Sequence, residues 1–144
     1  KRLHIAGHPE GNKDIDPDGK IKNASEALSW KQEFSKRTDA EMAIATQFCF
    51  DANVVKKWMD DIKDDGIDIP IHIGIAGPAK LQTFLTTRAK DLTKLLLPYE
   101  PTQVLRDLAE YKAKDPKFNI EQVHFFPFGG IKQTSDWVRE VLND

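Results

Sequence analysis

The chain has 144 residues, with 21 Lys and Arg against 23 Asp and Glu for a net charge of −2. That length suits one ordinary domain, and the near balance of charge leaves no basic footprint for nucleic acid. The longest apolar run, LLL at 95–97, is far too short to span a bilayer, no signal-peptide pattern opens the chain, and a single cysteine excludes an internal disulfide.

The first apolar run, LHIAG at 3–7, reads as a strand. The polar, turn-rich stretch GNKDIDPDGKIKN at 11–23 reads as the loop after it. A helix is predicted over about 24–37, with Ser25 as its N-cap. AIATQFCF at 43–50 supplies the second strand. Asp51, an N-cap residue type, opens a second helix that runs to Gly66. Val54, Val55, Trp58 and Ile62 fall at helical spacing on its inner face. IPIHIGIA at 69–76 is the third strand. Gly77-Pro78 opens a third helix carrying Leu81, Phe84, Leu85 and Leu92, with proline near the first turn. A further helix over 101–114 turns Val104, Leu105, Leu108 and Tyr111 inward. VHFFPF at 123–128 is the last strand, and a helix over about 134–142 follows it.

The order is βαβαβαβα with one additional helix before the last strand. Strands that are apolar nearly throughout suit a parallel sheet covered by helices. Two architectures satisfy this: a small doubly wound sheet, or half of an eight-stranded barrel. In both, ligands bind where strands end and helices begin. The four junctions are AGHPEGN, TQFCFD, GIAGPAK and FPFGG, each rich in glycine, polar or aromatic residues. Gln47 stands out among them. An amide inside an apolar strand needs hydrogen-bond partners or costs stability. Gln47 is therefore expected to face a ligand; the alternative is an amide satisfied within a barrel mouth. Cys49 reads as a buried structural thiol. His4, His72 and His124 lie within strands at spacings that carry no metal signature, and no metal site is expected.

The junctions also carry a family resemblance. AGHPEGN at 6–12 resembles the Tyr-Pro-Glu-Gly/Val-His segment after the fifth strand of methylenetetrahydrofolate reductases. ATQFCFD at 45–51 is similar to their Ile-Thr-Gln-Phe/Leu-Phe-Phe-Asp segment on the sixth strand. IPIHIGI at 69–75 resembles their seventh strand, and VHFFPF their eighth. The four motifs occur in order across the whole chain. The resemblance implies a single domain over 1–144: four βα units with parallel strands, the C-terminal half of a (β/α)8 TIM-type barrel.

It further implies a cytoplasmic flavoprotein of one-carbon metabolism. FAD would carry hydride from NAD(P)H to 5,10-methylenetetrahydrofolate, giving 5-methyltetrahydrofolate. Gln47 matches the family glutamine that hydrogen-bonds the pterin ring, and an amide both donates and accepts. Thr83, beside Gln82, lies near a second glutamine that touches folate. His8 stands where the family has tyrosine beside the flavin, and Ala6 and Gly7 leave room for a cofactor near the backbone. Asn12 matches a histidine that contacts FAD. Lys36 and Arg37 match a basic pair that meets the diphosphate, although a basic pair late in a helix also suits the helix dipole. Gly129-Gly130 is able to admit a phosphate or a ring edge, or to serve only as a tight turn.

The resemblance implies no catalytic residue in this chain. By the same mapping the general acid is expected in the first four strands, which would lie outside it. The sequence opens at Lys1 rather than methionine and is expected to be processed, truncated or incompletely represented. Its partner is expected to be that missing half, or a second copy pairing with its exposed strand edges. Two other readings stay open: a folate- or flavin-binding module without reductase activity, and an inactive half-barrel fragment.

Overall fold

The computed structural model describes residues 1–79, 100–115 and 118–143. Within them the chain forms β1 (Arg2–Gly7), α1 (Lys22–Ser35), β2 (Glu41–Cys49), α2 (Ala52–Asp64), β3 (Ile71–Ala76), α3 (Thr102–Lys114), β4 (Ile120–Phe126) and α4 (Ile131–Asn143). The helix predicted after Gly77-Pro78 lies outside the described residues, and so do Gln82, Thr83, Phe84 and Leu85.

The strands form one parallel sheet in the order β1-β2-β3-β4. β3 is buried at every position, as an all-apolar strand inside a parallel sheet must be. The register sets Ile5 beside Ile44, Ile44 beside Ile71 and Ile71 beside Ile120. Isoleucines therefore form a row across one face. Onto that face pack Leu28 of α1, Val55, Trp58, Met59 and Ile62 of α2, and Leu108 of α3. Trp137 of α4 stands edge-on to Phe125, with 5.6 Å between ring centroids. Phe125 pairs with Ile75 and shares the same face. The described helices thus lie on one side of the sheet. A doubly wound sheet needs helices on both faces. Sequential parallel strands with helices on one side are compatible with half of an eight-stranded barrel.

Local chemistry sets the helix ends. Asp51 caps α2 by accepting from the Asn53 N–H at 2.9 Å. Gly66, with φ 78°, ends it in the left-handed conformation that glycine adopts without strain. α1 begins two residues earlier than predicted. Its N-cap, Ile21, offers no side-chain acceptor. Asp16, buried in the preceding loop, accepts from the N–H groups of Asn23 (2.8 Å) and Ala24 (3.0 Å) instead. Ser25, the predicted cap, sits inside the helix and donates to Asp65 at 2.9 Å. On α2, Val54 faces solvent and Met59 joins the core in its place. The reason is geometric: Val55, Trp58, Met59 and Ile62 follow one helical stripe, and Val54 lies beside it. No described helix is long and apolar enough to cross a membrane.

Candidate functional site at the carboxyl ends of the strands

β2 is irregular where it reaches the rim. Ala45 pairs with His72 and Phe48 with Gly74, so Thr46 and Gln47 stand opposite the single residue Ile73. This is a β-bulge, a device that re-aims side chains and breaks the ladder locally. It reverses the alternation of the strand. Phe48 joins the face of Ala45, while Cys49, paired with Ile75, turns toward the helices. Thr46 is buried; its hydroxyl accepts from the Gly74 N–H at 2.8 Å and donates to the Gln47 carbonyl at 2.8 Å. The Cys49 thiol donates to the same carbonyl at 3.3 Å. Burial, and next the nearby Glu10 carboxylate, push that thiol up to about 12. It therefore stays protonated and remains a donor.

The side chain of Gln47 is exposed. The expectation of an amide enclosed by an apolar strand is corrected in this respect. The bulge takes Gln47 out of the strand's packing and leaves its carboxamide at the surface of the rim.

The β1–β2 ladder ends with Gly7 paired to Thr46, so His8 follows the end of β1 and Gln47 follows the last β2 residue paired to it. His8 is half-buried, and its Nδ1 is buried with no hydrogen-bond partner among the described residues. Its loop is fastened to the next one by Glu10, which accepts from the N–H groups of Phe50 (2.8 Å) and Asp51 (3.3 Å). Asn12 forms a local turn, its side chain accepting from the Asp14 N–H at 2.9 Å. Ala6, Gly7 and His8 line a cleft of about 410 Å³ with Leu28 of α1 and Trp58 and Ile62 of α2; Gln47 is not among its lining residues. Gly7 is required by packing, since a Cβ there would lie 2.5 Å from Ile44 Cγ2.

Lys36 and Arg37 do not join this group. They follow α1 and lead into the amino end of β2, a strand of nine residues that rises about 25 Å to the rim. Lys36 pairs with Glu33 at 2.5 Å, and Arg37 lies over the Phe34 ring, 5.5 Å from its centroid.

Phenylalanines form a wall on the β2–β4 side. Phe48 stands edge-on to Phe50, Phe126 and Phe128, with centroids 5.4, 5.5 and 5.0 Å away, a geometry that aromatic quadrupoles favour. The cluster packs on Ala76 and Ala79. At the Gly-Gly turn, Gly130 has φ 99°, and a Cβ at Gly129 would collide with the Pro78 carbonyl. The turn is closed against the loop after β3. The sequence reading assigned no role to Glu10, Thr46 or Phe48. For Thr46, the signal was a hydroxyl residue immediately before the polar break in an apolar strand.

Below the rim, His4 and His72 meet edge to face with centroids 5.0 Å apart, above the small Ala43 and Ala45 of the intervening strand. The His72 Nε2 lies 2.7 Å from Glu121 Oε2. Glu121 is the extra residue of a second register shift, between the Ile71–Ile120 and His72–Gln122 pairs. The His72 bond holds its carboxyl below the usual range. Among the described residues, no group of three or more His, Cys, Asp or Glu is able to hold a metal ion.

Desolvation lowers the His124 pKa below its ordinary 6.5, and His72 and His4 also oppose its charge. The folded chain therefore binds this proton less readily than the unfolded chain. Its contribution to stability is present above pH 6.5 and is lost as pH falls from there through the folded value. Urea unfolding across that range is expected to show the wild type losing stability relative to His124→Asn as the solution is acidified. A pH-independent difference would contradict the assignment.

No protein-family model matches the chain.

Proposed function

We propose that this chain supplies strands five to eight of a (β/α)8 barrel. The complete barrel is an FAD-dependent oxidoreductase that reduces 5,10-methylenetetrahydrofolate to 5-methyltetrahydrofolate with NAD(P)H. The observation that carries the reading is Gln47: an exposed carboxamide at a strand's carboxyl end, with its own carbonyl held by Thr46 and Cys49. A pterin edge presents donors and acceptors together, and a single amide answers both.

Sequential strand order and one-sided helices support the barrel. The distribution of exposed large apolar residues supports a partner half. Among the described residues, Leu3 belongs to β1, Ile21, Trp30 and Phe34 to α1 or the residue before it, Val123 to β4, and Ile131 and Leu142 to α4, the first and last strands of the sheet and the helices that follow them; Val54 of α2 is the exception. These are the two edges at which a barrel continues, and exposed apolar patches mark interaction surfaces.

The rim suits the ring of a flavin. His8 offers a buried nitrogen without a partner among the described residues, and Ala6 beside it is small. A bound flavin supplies the storage and transfer of hydride. This chain's residues supply orientation and shelter. Gln47 sets the pterin's rotation, His8 donates to or accepts from a ring edge, and Phe48 and Phe126 exclude water. The reading gives Lys36 and Arg37 no contact at the rim.

The test is an equilibrium titration of the complete protein with folate. Gln47→Ala is expected to raise Kd by about tenfold or more, the effect of one or two lost hydrogen bonds. The melting temperature should stay unchanged, because the side chain is exposed. An unchanged Kd would remove the pterin contact. A second reading, a folate-binding module that holds no flavin, is favoured by the engagement of Asn12 in its own turn and by the distance of the basic pair.

A further inference from the structure

We infer that Thr46 is a positioning residue for the pterin site: its hydroxyl holds the β2 bulge in shape and so fixes the direction in which Gln47 leaves the sheet. The inference rests on the proposed contact between Gln47 and the pterin.

In a regular parallel ladder the Gly74 N–H would donate to a carbonyl of β2. At the bulge it donates to the Thr46 hydroxyl instead, at 2.8 Å. The hydroxyl has one proton, and it gives that proton to the Gln47 carbonyl. A single side-chain atom thus replaces the missing ladder bond and ties down the peptide that follows. Both partners are enclosed, Thr46 being 3 % exposed and Gly74 buried. Losing the hydroxyl would strand a buried N–H and free the Gln47 carbonyl together. Gly74 belongs to the same device. A Cβ there would come within 2.7 Å of the Thr46 carbonyl and 2.8 Å of the Gln47 carbonyl, so the bulged backbone lies directly over it. Cys49 adds a second donor next to the hydroxyl: its sulfur lies 3.9 Å from Thr46 Oγ1, and its thiol reaches the Gln47 carbonyl at 3.3 Å. Valine has the shape of threonine without the hydroxyl, whereas serine keeps the hydroxyl and drops the methyl. The pair separates hydrogen bonding from packing.

The experiment compares wild type, Thr46→Val, Thr46→Ser and Gln47→Ala in the complete protein. It reads the folate Kd, the exchange rate of the Gly74 amide, and the NMR shifts and mobility of the Gln47 side-chain amide. Thr46→Val is expected to weaken folate binding by about tenfold, to speed Gly74 exchange and to loosen the Gln47 amide. Thr46→Ser is expected to restore all three to near the wild-type values. If Gln47→Ala weakens binding and Thr46→Val does not, positioning is overturned while the pterin contact stands. If Gln47→Ala has no effect on Kd, the pterin contact falls, and with it the functional half of the inference. The mobility of the Gln47 amide in Thr46→Val then decides the structural half. A Thr46→Val protein that is less stable, yet keeps wild-type Kd and a wild-type Gln47 amide, shows a purely structural threonine and overturns the inference. Should Thr46→Val fail to fold, Thr46→Ser carries the test: weakened binding with an intact Gly74 bond counts against the hydroxyl.

Discussion

Gly74→Ala is expected to destabilise the protein by about 3 kcal/mol, at the upper end for an added methyl in a close-packed interior. The added Cβ would meet the Thr46 carbonyl at 2.7 Å, the Gln47 carbonyl at 2.8 Å and Phe126 Cε2 at 2.8 Å. The phenylalanine ring is able to rotate away. The two carbonyls are not, because they belong to the backbone of a strand paired on both sides. Gly7→Ala is expected to cost a comparable amount. Its nearest contact, 2.5 Å, is with Cγ2 of Ile44, the branch methyl of a fully buried side chain that is stiff at χ1. Gly19→Ala meets nothing within 4 Å and carries only the strain of φ +76°, roughly 1 kcal/mol. Urea unfolding with an unchanged m value measures all three. A Gly74→Ala loss no larger than that of Gly19→Ala would contradict the packing described for the bulge.

Asp16→Ala is expected to cost about 2 kcal/mol, as loss of a strong helix cap does. α1 has no adjacent cap, and both oxygens of the buried Asp16 carboxylate are used, one on the Asn23 N–H and one on the Ala24 N–H. Two donors at the start of the helix would lose their partners, and the loop over 11–21 would lose its anchor. Asp16→Asn keeps one acceptor oxygen and should recover part of the loss. Hydrogen exchange at Asn23 and Ala24 gives the local readout. Unchanged protection in Asp16→Ala would show that the cap contributes nothing.

The same loop marks where sequence reasoning ran out. A cap is sought beside the helix it closes, and Ser25 was the nearest candidate. The residue that performs the task comes seven and eight positions before the amides it binds, and only the fold of the loop brings it there. The α2 boundaries were legible because Asp51 and Gly66 act on their immediate neighbours. The strands were legible from their apolar runs, and the row of isoleucines confirms one buried face. The bulge was not legible. ATQFCF reads as an unbroken alternation, yet the extra residue sends Phe48 and Cys49 to the faces opposite those that alternation predicts. Gln47 drew notice as a polar break in an apolar strand; its exposure follows from the bulge, which no local propensity announces. Among the expected site residues, His8 and Gln47 both lie where adjacent strands end, each directly after the last register pair of β1 on β2, Gly7 with Thr46. Lys36 and Arg37 do not, because matching by sequence order takes no account of which end of a strand a residue occupies.

The central claim is that the strand-end rim, completed by its other half, serves flavin and folate in turn. An anaerobic spectral titration of the complete protein tests it most directly. A yellow protein is predicted, with an oxidised-flavin band that NADH or NADPH bleaches and 5,10-methylenetetrahydrofolate restores. A colourless protein, or a band that the reduced nicotinamide leaves unchanged, would contradict the account.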